Sequence, residues 1–217
     1  APVDPAQPAG VFDEEDETYQ AIDQEMVKLG GLRESSIDWP YVDEASSQYL
    51  TSQCKHFRIA FHLLTGWLRK RTWTDWTNAV GLVAGLVDQY WESAYPKPGP
   101  TGYLAKRKMI AMWVERLGDA LAQLTPGSYS KEQQGLAQQA LDSLQGNAAS
   151  TKLDVPLLTR LESLFSRAVA QAAMPETSAP KPATGQKGGQ SLSPEFFSTQ
   201  SGLQLGNERE NRRTLLT

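Results

Sequence analysis

The sequence predicts an all-α fold, a single domain of about seven helices followed by a flexible linker. Three observations carry this. Apolar residues recur at helical spacing, most cleanly at Trp76, Val80, Val83, Val87 and Tyr90, with offsets of 0, 4, 7, 11 and 14. No run of strict apolar/polar alternation is bounded by hairpin turns. Helix-starting and helix-stopping residues punctuate the periodic stretches, as at Asp38-Trp39-Pro40, Ser130…Gln133 and Gly30-Gly31.

Composition narrows the class further. The 217 residues are 40% hydrophobic and 21% charged, which is ordinary for a globular protein. A folded part of ~150–180 residues buries about 70% of its unfolded surface and needs no staples. One cysteine excludes a disulfide framework within the chain and fits a reducing compartment. A net charge of −4 excludes a generally basic nucleic-acid binder but leaves local patches open. The longest apolar stretch, Ala79 to Val87, falls far short of the ~20 residues of a membrane span. The opening APVDPAQPAG has neither the basic nor the apolar region of a signal peptide, so a cytoplasmic location is expected. Without an initial Met, and ending at ENRRTLLT, the chain is expected to be a piece of a longer protein.

Residues 1–12, rich in Pro and Ala, are expected to form a flexible N-terminal segment. The helical domain is expected over 13–174. Its first helix, Asp16 to Leu29, stops at Gly30-Gly31. The second follows an Asp38 N-cap, with Pro40 in the first turn and Val42, Ala45 and Tyr49 inward. The third, Cys54 to Lys70, is apolar on two faces, Phe57/Phe61/Leu64/Leu68 and Ile59/Leu63/Trp67, and so belongs in the centre. It ends in Arg69-Lys70-Arg71, where the helix dipole favours cations.

The fourth helix is expected to begin after Thr72 or Thr74 and carries the Trp76 stripe. Gly81 and Gly85 lie one turn apart on it, each unfavourable by roughly 0.5–1 kcal/mol relative to Ala, and close approach of a neighbouring helix is the expected compensation. Tyr95-Pro96-Lys97-Pro98-Gly99-Pro100 breaks the helix. The fifth, Tyr103 to Leu124, points Ile110, Trp113, Leu117, Leu121 and Leu124 inward. The sixth opens with a Ser130 capping box and buries Leu136, Ala140 and Leu144. The seventh follows Asp154-Val155-Pro156 and buries Leu158, Leu161, Phe165 and Val169. All six tryptophans fall between Trp39 and Trp113, which places the best-packed core in helices two to five. Helices six and seven are expected to be a hairpin packed on the side, or a surface for a homodimer or higher homo-oligomer. Residues 175–206, rich in Pro, Gly, Ser and Thr, are expected to be a linker containing one apolar pair, Phe196-Phe197, as a candidate docking motif. Asn207 to Thr217 is expected to start a next helical module.

Candidate chemistry is sparse. Cys54, His56 and His62 are the only nucleophile and imidazole candidates, and offsets of 2, 6 and 8 on one helix do not bring nucleophile and base together. No metal-ligand spacing and no cofactor motif is present, GQKGGQ lacking the strand and helix start of a phosphate loop. Arg58, between Phe57 and Ile59 on the most apolar helix, is expected to be partly buried and paired with Asp38 or Asp88. Lys106-Arg107-Lys108 lies early in its helix, where the dipole disfavours cations, and is the better candidate for an acidic partner. A nucleic-acid adaptor using residues 69–71 and 106–108 is an alternative, and a small helical enzyme using His56 or His62 a weaker one.

Three segments together resemble one family. Asp38-Trp39-Pro40-Tyr41-Val42, Lys55-His56-Phe57-Arg58-Ile59-Ala60, and Gly81…Gly85 running on to Trp91 and Pro96 follow the order and spacing of the ImpA-related N-terminal domain of TssA-type proteins of the bacterial type VI secretion system. The resemblance covers residues 38–120 well and 10–37 loosely. It departs at His56, where the family has an acidic residue, at Phe57, where it has Leu, and at Ala9–Glu14, which lacks the family's Cys-Gly-Glu-Asp element. The resemblance implies a non-catalytic cytoplasmic assembly factor of a contractile, tail-like machine, without cofactor. Its implied partners are baseplate, tail-tube, spike or sheath proteins.

Overall fold

The computed structural model describes residues 1–125 and 129–172. The expected linker, its Phe196-Phe197 pair and the helical start at Asn207 lie outside the described residues.

Seven α-helices account for the described fold: α1 (Glu17–Met26), α2 (Trp39–Ser52), α3 (Phe57–Arg69), α4 (Trp73–Tyr90), α5 (Tyr103–Leu121), α6 (Lys131–Thr151) and α7 (Val155–Ala172). Among the described residues there is no β-strand, only two isolated bridges, Gly10 with Cys54 and His56 with Tyr95. The caps do what their chemistry suggests. The carboxylates of Asp16 and Asp38 accept from the backbone N–H of Tyr19 and Tyr41, and the hydroxyls of Thr72 and Ser130 from those of Asp75 and Gln133.

Packing runs along the chain and then folds back. α1 lies on α2 and α3, α2 on α3, and α3 on α4 and α5. α6 returns against α4, and α7 against α5. The centre is aromatic. Trp113 is fully buried and stacks on Phe57 (ring centroids 5.3 Å) and Phe61 (6.3 Å). Trp76 is fully buried, stacks on Phe165 of α7 at 5.2 Å, and donates its Nε1–H to the Leu117 carbonyl at 2.9 Å. Trp73 stacks on Tyr129 at 4.1 Å. The core therefore extends beyond α2–α5, because α6 and α7 close it. Trp39 and Trp67 are only half-buried, and Trp39 belongs to a small second cluster with Met26, Ile37 and Val42. On α6 the inward face is turned from the expected one. Leu136 is exposed, and Ala137 and Leu141 are buried with Ala140 and Leu144.

α3 starts later than expected. Residues 54–56 are extended and are held from two sides. The Lys55 N–H donates to the Ala9 carbonyl at 2.7 Å, the Tyr95 N–H to the Lys55 carbonyl at 2.9 Å, and the Phe57 N–H to the Tyr95 carbonyl at 3.0 Å. The end of the expected flexible segment is thereby tied down: Ala9 is buried, and Gly10 adopts φ +73° with its backbone against Gln53. A methyl group on Gly10 would sit 2.0 Å from the Gln53 carbonyl oxygen.

The paired glycines of α4 do not admit a neighbouring helix within the described fold. A methyl group on Gly81 or Gly85 meets no atom within 4 Å. Close approach occurs instead at Gly66 of α3, where a methyl group would stand 2.0 Å from the Asp43 carboxylate of α2. Gly10→Ala is therefore expected to destabilise the chain by about 2 kcal/mol or more, combining a left-handed backbone with a backbone collision. Gly81→Ala is expected to stabilise it by about 0.5–1 kcal/mol, the gain of Ala over Gly in an unobstructed helix. Urea midpoints of the two variants check both signs.

Candidate functional site

Side chains able to carry chemistry lie in and just before α3, the histidines facing α1, and each has a structural role. Cys54 is fully buried, and burial pushes its thiol up to about 12, so it is no thiolate at neutral pH. His56 caps α3, its Nδ1 accepting the Arg58 backbone N–H at 3.1 Å. Its ring lies between Phe12 (4.6 Å) and Tyr19 (5.2 Å), and burial holds its pKa down at about 4. His62 Nε2 faces Asp23 Oδ1 at 3.2 Å. Burial lowers its pKa, with the Asp23 contact working in the opposite direction. His56 Nε2 and His62 Nδ1 are buried with no hydrogen-bond partner.

Arg58 pairs with neither Asp38 nor Asp88. It forms a two-pronged contact to Asp23 of α1, Nε to Oδ1 at 2.5 Å and a terminal nitrogen to Oδ2 at 2.9 Å. The side chain is half exposed rather than buried, because the polar edge of α3 faces α1 at the domain surface. Asp38 is occupied as the α2 cap, and its N–H donates to Glu25. Asp88 accepts from Asn147 of α6 at 3.1 Å.

The remaining signature residues divide between core and surface. Val42 is fully buried. Trp39 is covered on one ring face by the Arg69 guanidinium at 4.4 Å, and the two line a surface cavity of about 550 Å³. Trp91 is buried against Tyr103. Pro96 follows Tyr95, whose backbone braces the start of α3. Gly81 and Gly85 line an open groove of about 300 Å³ floored by Leu50, Leu63 and Leu86.

The basic triplet on α5 splits. Lys106 is fully buried, its Nζ donating to the Trp91 carbonyl and lying 5.7 Å and 5.9 Å from the ring centres of Phe57 and Trp91. Burial lowers its pKa. It is a structural residue and leaves the candidate partner patch. The signal was in the sequence, since Lys106, Ile110, Trp113 and Leu117 share one helical stripe. Lys55 behaves alike, its ammonium reaching the Leu50 carbonyl over the Tyr90 ring.

Arg107 and Lys108 stay at the surface, and the fold brings Lys152 beside them. These three cations rim a cavity of about 260 Å³ between α5, the α6–α7 turn and α7, floored by Ile110, Val114 and Leu153. It continues along α5 and α7 into a second cavity of about 170 Å³ that shares Val114 and Leu157. Lys152, a left-handed residue at the α6 end, could be placed here only by the return of α6 and α7. Neither Cys54, His56 nor His62 lines any of these cavities. Among the described residues no group of His, Cys, Asp and Glu is placed to hold a metal ion, and no helix is long and apolar enough to cross a membrane.

Comparison with known proteins gives the family. No curated protein matches the chain in sequence. Among solved structures it is similar to the N-terminal domain, including the conserved ImpA_N region, of the TssA component of the type VI secretion system from Burkholderia cenocepacia. The TM-score is 0.54 at 16% identity, covering 80% of this chain and 92% of that one, and it shows a shared fold. The model of the family described as "ImpA, N-terminal, type VI secretion system" matches residues 1–115, over half of the 217. On that match the chain belongs to the ImpA N-terminal family of the type VI secretion system.

Proposed function

We propose that this chain is a non-catalytic docking module of a TssA-type component that acts in assembly of the secretion tail and baseplate in the bacterial cytoplasm. The observation that carries the reading is the use made of the reactive side chains. Cys54, His56 and His62 are spent on burial, helix capping and the Asp23–Arg58 contact, away from the surface cavities. The open features are an aromatic–guanidinium patch at Trp39 and Arg69 and an apolar groove rimmed by cations, both suited to protein contacts. Family membership and the likeness to the TssA domain support the same reading. Partners of this class are baseplate, tube, spike or sheath proteins, or a second copy of the chain. In this reading residues 13–174 form the docking domain behind an N-terminal segment, 1–12, and residues 175–206 tether it to a further helical module that starts at Asn207. Lys106 is buried and takes no part in a basic surface at residues 106–108.

The test is co-purification from cells carrying the apparatus, comparing the tagged full-length protein with a version lacking residues 1–172. Baseplate, tube, spike or sheath proteins recovered only with the intact protein are the expected result. Equal recovery of the same proteins by both versions would overturn the assignment of docking to this domain.

A further inference from the structure

We infer that the groove between α5 and α7 receives an acidic amphipathic helix of a partner protein, its carboxylates held by Arg107, Lys108 and Lys152. The inference rests on the docking reading above and adds the chemistry of the partner and the place where it binds.

The groove has an apolar floor. On α5 the residues at positions 107, 111, 114 and 118 form one helical stripe facing α7. From Arg107 to Gly118 the stripe is about 17 Å long at 1.5 Å per residue, or three helical turns. Val114 and Leu157 form the joint between its two halves. Val155, at the start of α7 beside the Lys152–Asp154 rim, stands exposed at 47%. Scattered exposed apolar residues are normal, but a continuous apolar floor is a surface that loses free energy when covered.

Charge identifies the occupant. The whole chain carries −4, yet Arg107, Lys108 and Lys152 meet at one end of the groove, and Arg160 follows along α7. Among the described residues none of the four lies within ion-pair distance of a carboxylate. Asp154 on the same rim accepts the Leu157 backbone N–H at 3.1 Å and leaves a surplus of cations, three against one, at this end. A cationic groove on an anionic body draws acidic segments to one place and repels them elsewhere. The opposite end carries Glu115 and Asp119 beside Arg160, so the cations are concentrated at the Lys152 end and the carboxylates at the other. That polarity fits a helix with acidic residues at one end. It does not fit a nucleic-acid strand, whose charge is uniform and whose phosphates would meet those two carboxylates. The floor supplies affinity and the cations supply register, as in other grooves that accept an amphipathic helix.

The test uses the full 217-residue chain and a fluorescent 15-residue probe peptide, helical, with leucines along one face and glutamates clustered at one end. Saturable binding is expected, weakening as salt rises. Arg107→Glu/Lys108→Glu should reduce affinity at least tenfold. Lys108→Glu/Lys152→Glu, which touches only exposed positions, should do the same and guards against a folding defect in the first variant. Arg33→Glu, an exposed charge on the α1–α2 connection, should leave affinity unchanged. A control peptide with lysines in place of the glutamates should not bind. No saturable binding, equal binding of the basic peptide, or preferential capture of a single-stranded DNA competitor would each overturn the inference. So would a concentration-dependent dimer abolished by Arg107→Glu/Lys108→Glu, which would identify a second copy as the occupant. These solution results are independent of the cellular co-purification: recovery of secretion components without peptide binding would sink this inference and leave the docking reading intact.

Discussion

Trp76→Ala is expected to destabilise the chain by about 3–5 kcal/mol and to lower the melting temperature by roughly 10 °C, because truncating a buried aromatic removes transfer free energy and leaves a cavity. Trp76 has no exposed surface. It joins three helices at once: its own α4, α7 through the stack on Phe165, and α5 through the bond to the Leu117 carbonyl. A sharper comparison follows from Trp113, which is equally buried but whose indole N–H has no partner. Trp76→Phe loses ring volume and a hydrogen bond. Trp113→Phe loses similar volume but also removes a buried, unsatisfied donor, which favours the variant. Trp76→Phe should therefore be the more damaging change, by about 1–2 kcal/mol. Urea unfolding followed by far-ultraviolet circular dichroism measures both. Equal midpoints for the two phenylalanine variants would show that the Trp76–Leu117 bond does not hold α4 to α5.

What was legible in the sequence was what neighbours along the chain determine. The Trp76 stripe is buried as its spacing predicts, Asp38 and Ser130 cap the helices they precede, and Thr72 rather than Thr74 caps α4. These are interactions within one or two turns. The misreadings share the opposite property. Cys54 to His56 looked like the start of α3, but hydrogen bonds to Ala9 and to Tyr95 pull the segment into extended form. Arg58 finds Asp23, 35 positions away, and no local pattern ranks that carboxylate above Asp38 or Asp88. The spacing of Gly81 and Gly85 points to a close helix contact that the fold makes instead at Gly66. Lys106 is a different kind of error. Its position on the buried stripe of α5 is visible in the sequence, but its charge and its neighbours Arg107 and Lys108 group it with a surface patch for an acidic partner. What reverses that reading is a pocket assembled from Phe57 and Trp91, which are distant in sequence. The groove cations show the same limit from the functional side, for Lys152 joins Arg107 and Lys108 only once α6 and α7 have folded back.

Mild acid is expected to weaken the fold well before the bulk of the carboxylates titrate, and the histidines under α1 are the reason. Both have folded pKa values below the ordinary histidine value of 6.5, His56 at about 4, with burial as the first cause in each. The sign follows from proton counting. Above pH 6.5 the rings are neutral in folded and unfolded chains alike, and their contribution to stability is complete. Below 6.5 the unfolded chain binds protons that the folded chain refuses, so stability falls with pH until the folded pKa near 4 is reached. At 1.36 kcal/mol per unit, His56 alone accounts for a loss of about 2 kcal/mol by pH 5, and His62 acts in the same direction. The geometry gives the cause. Protonation of His56 places a proton on the Nδ1 that caps α3, within 2%-exposed surroundings between Phe12 and Tyr19. Arg58 opposes that charge and Asp23 favours it, without cancelling the burial effect. Urea midpoints between pH 7 and pH 5 should therefore decline steadily. His56→Asn keeps a capping oxygen but cannot titrate, so its profile over that range should be flatter by the share His56 contributes. A wild-type profile level from pH 7 to pH 5, or an unchanged slope in the variant, would mean that the ring accepts its proton without disturbing the junction of α1 and α3.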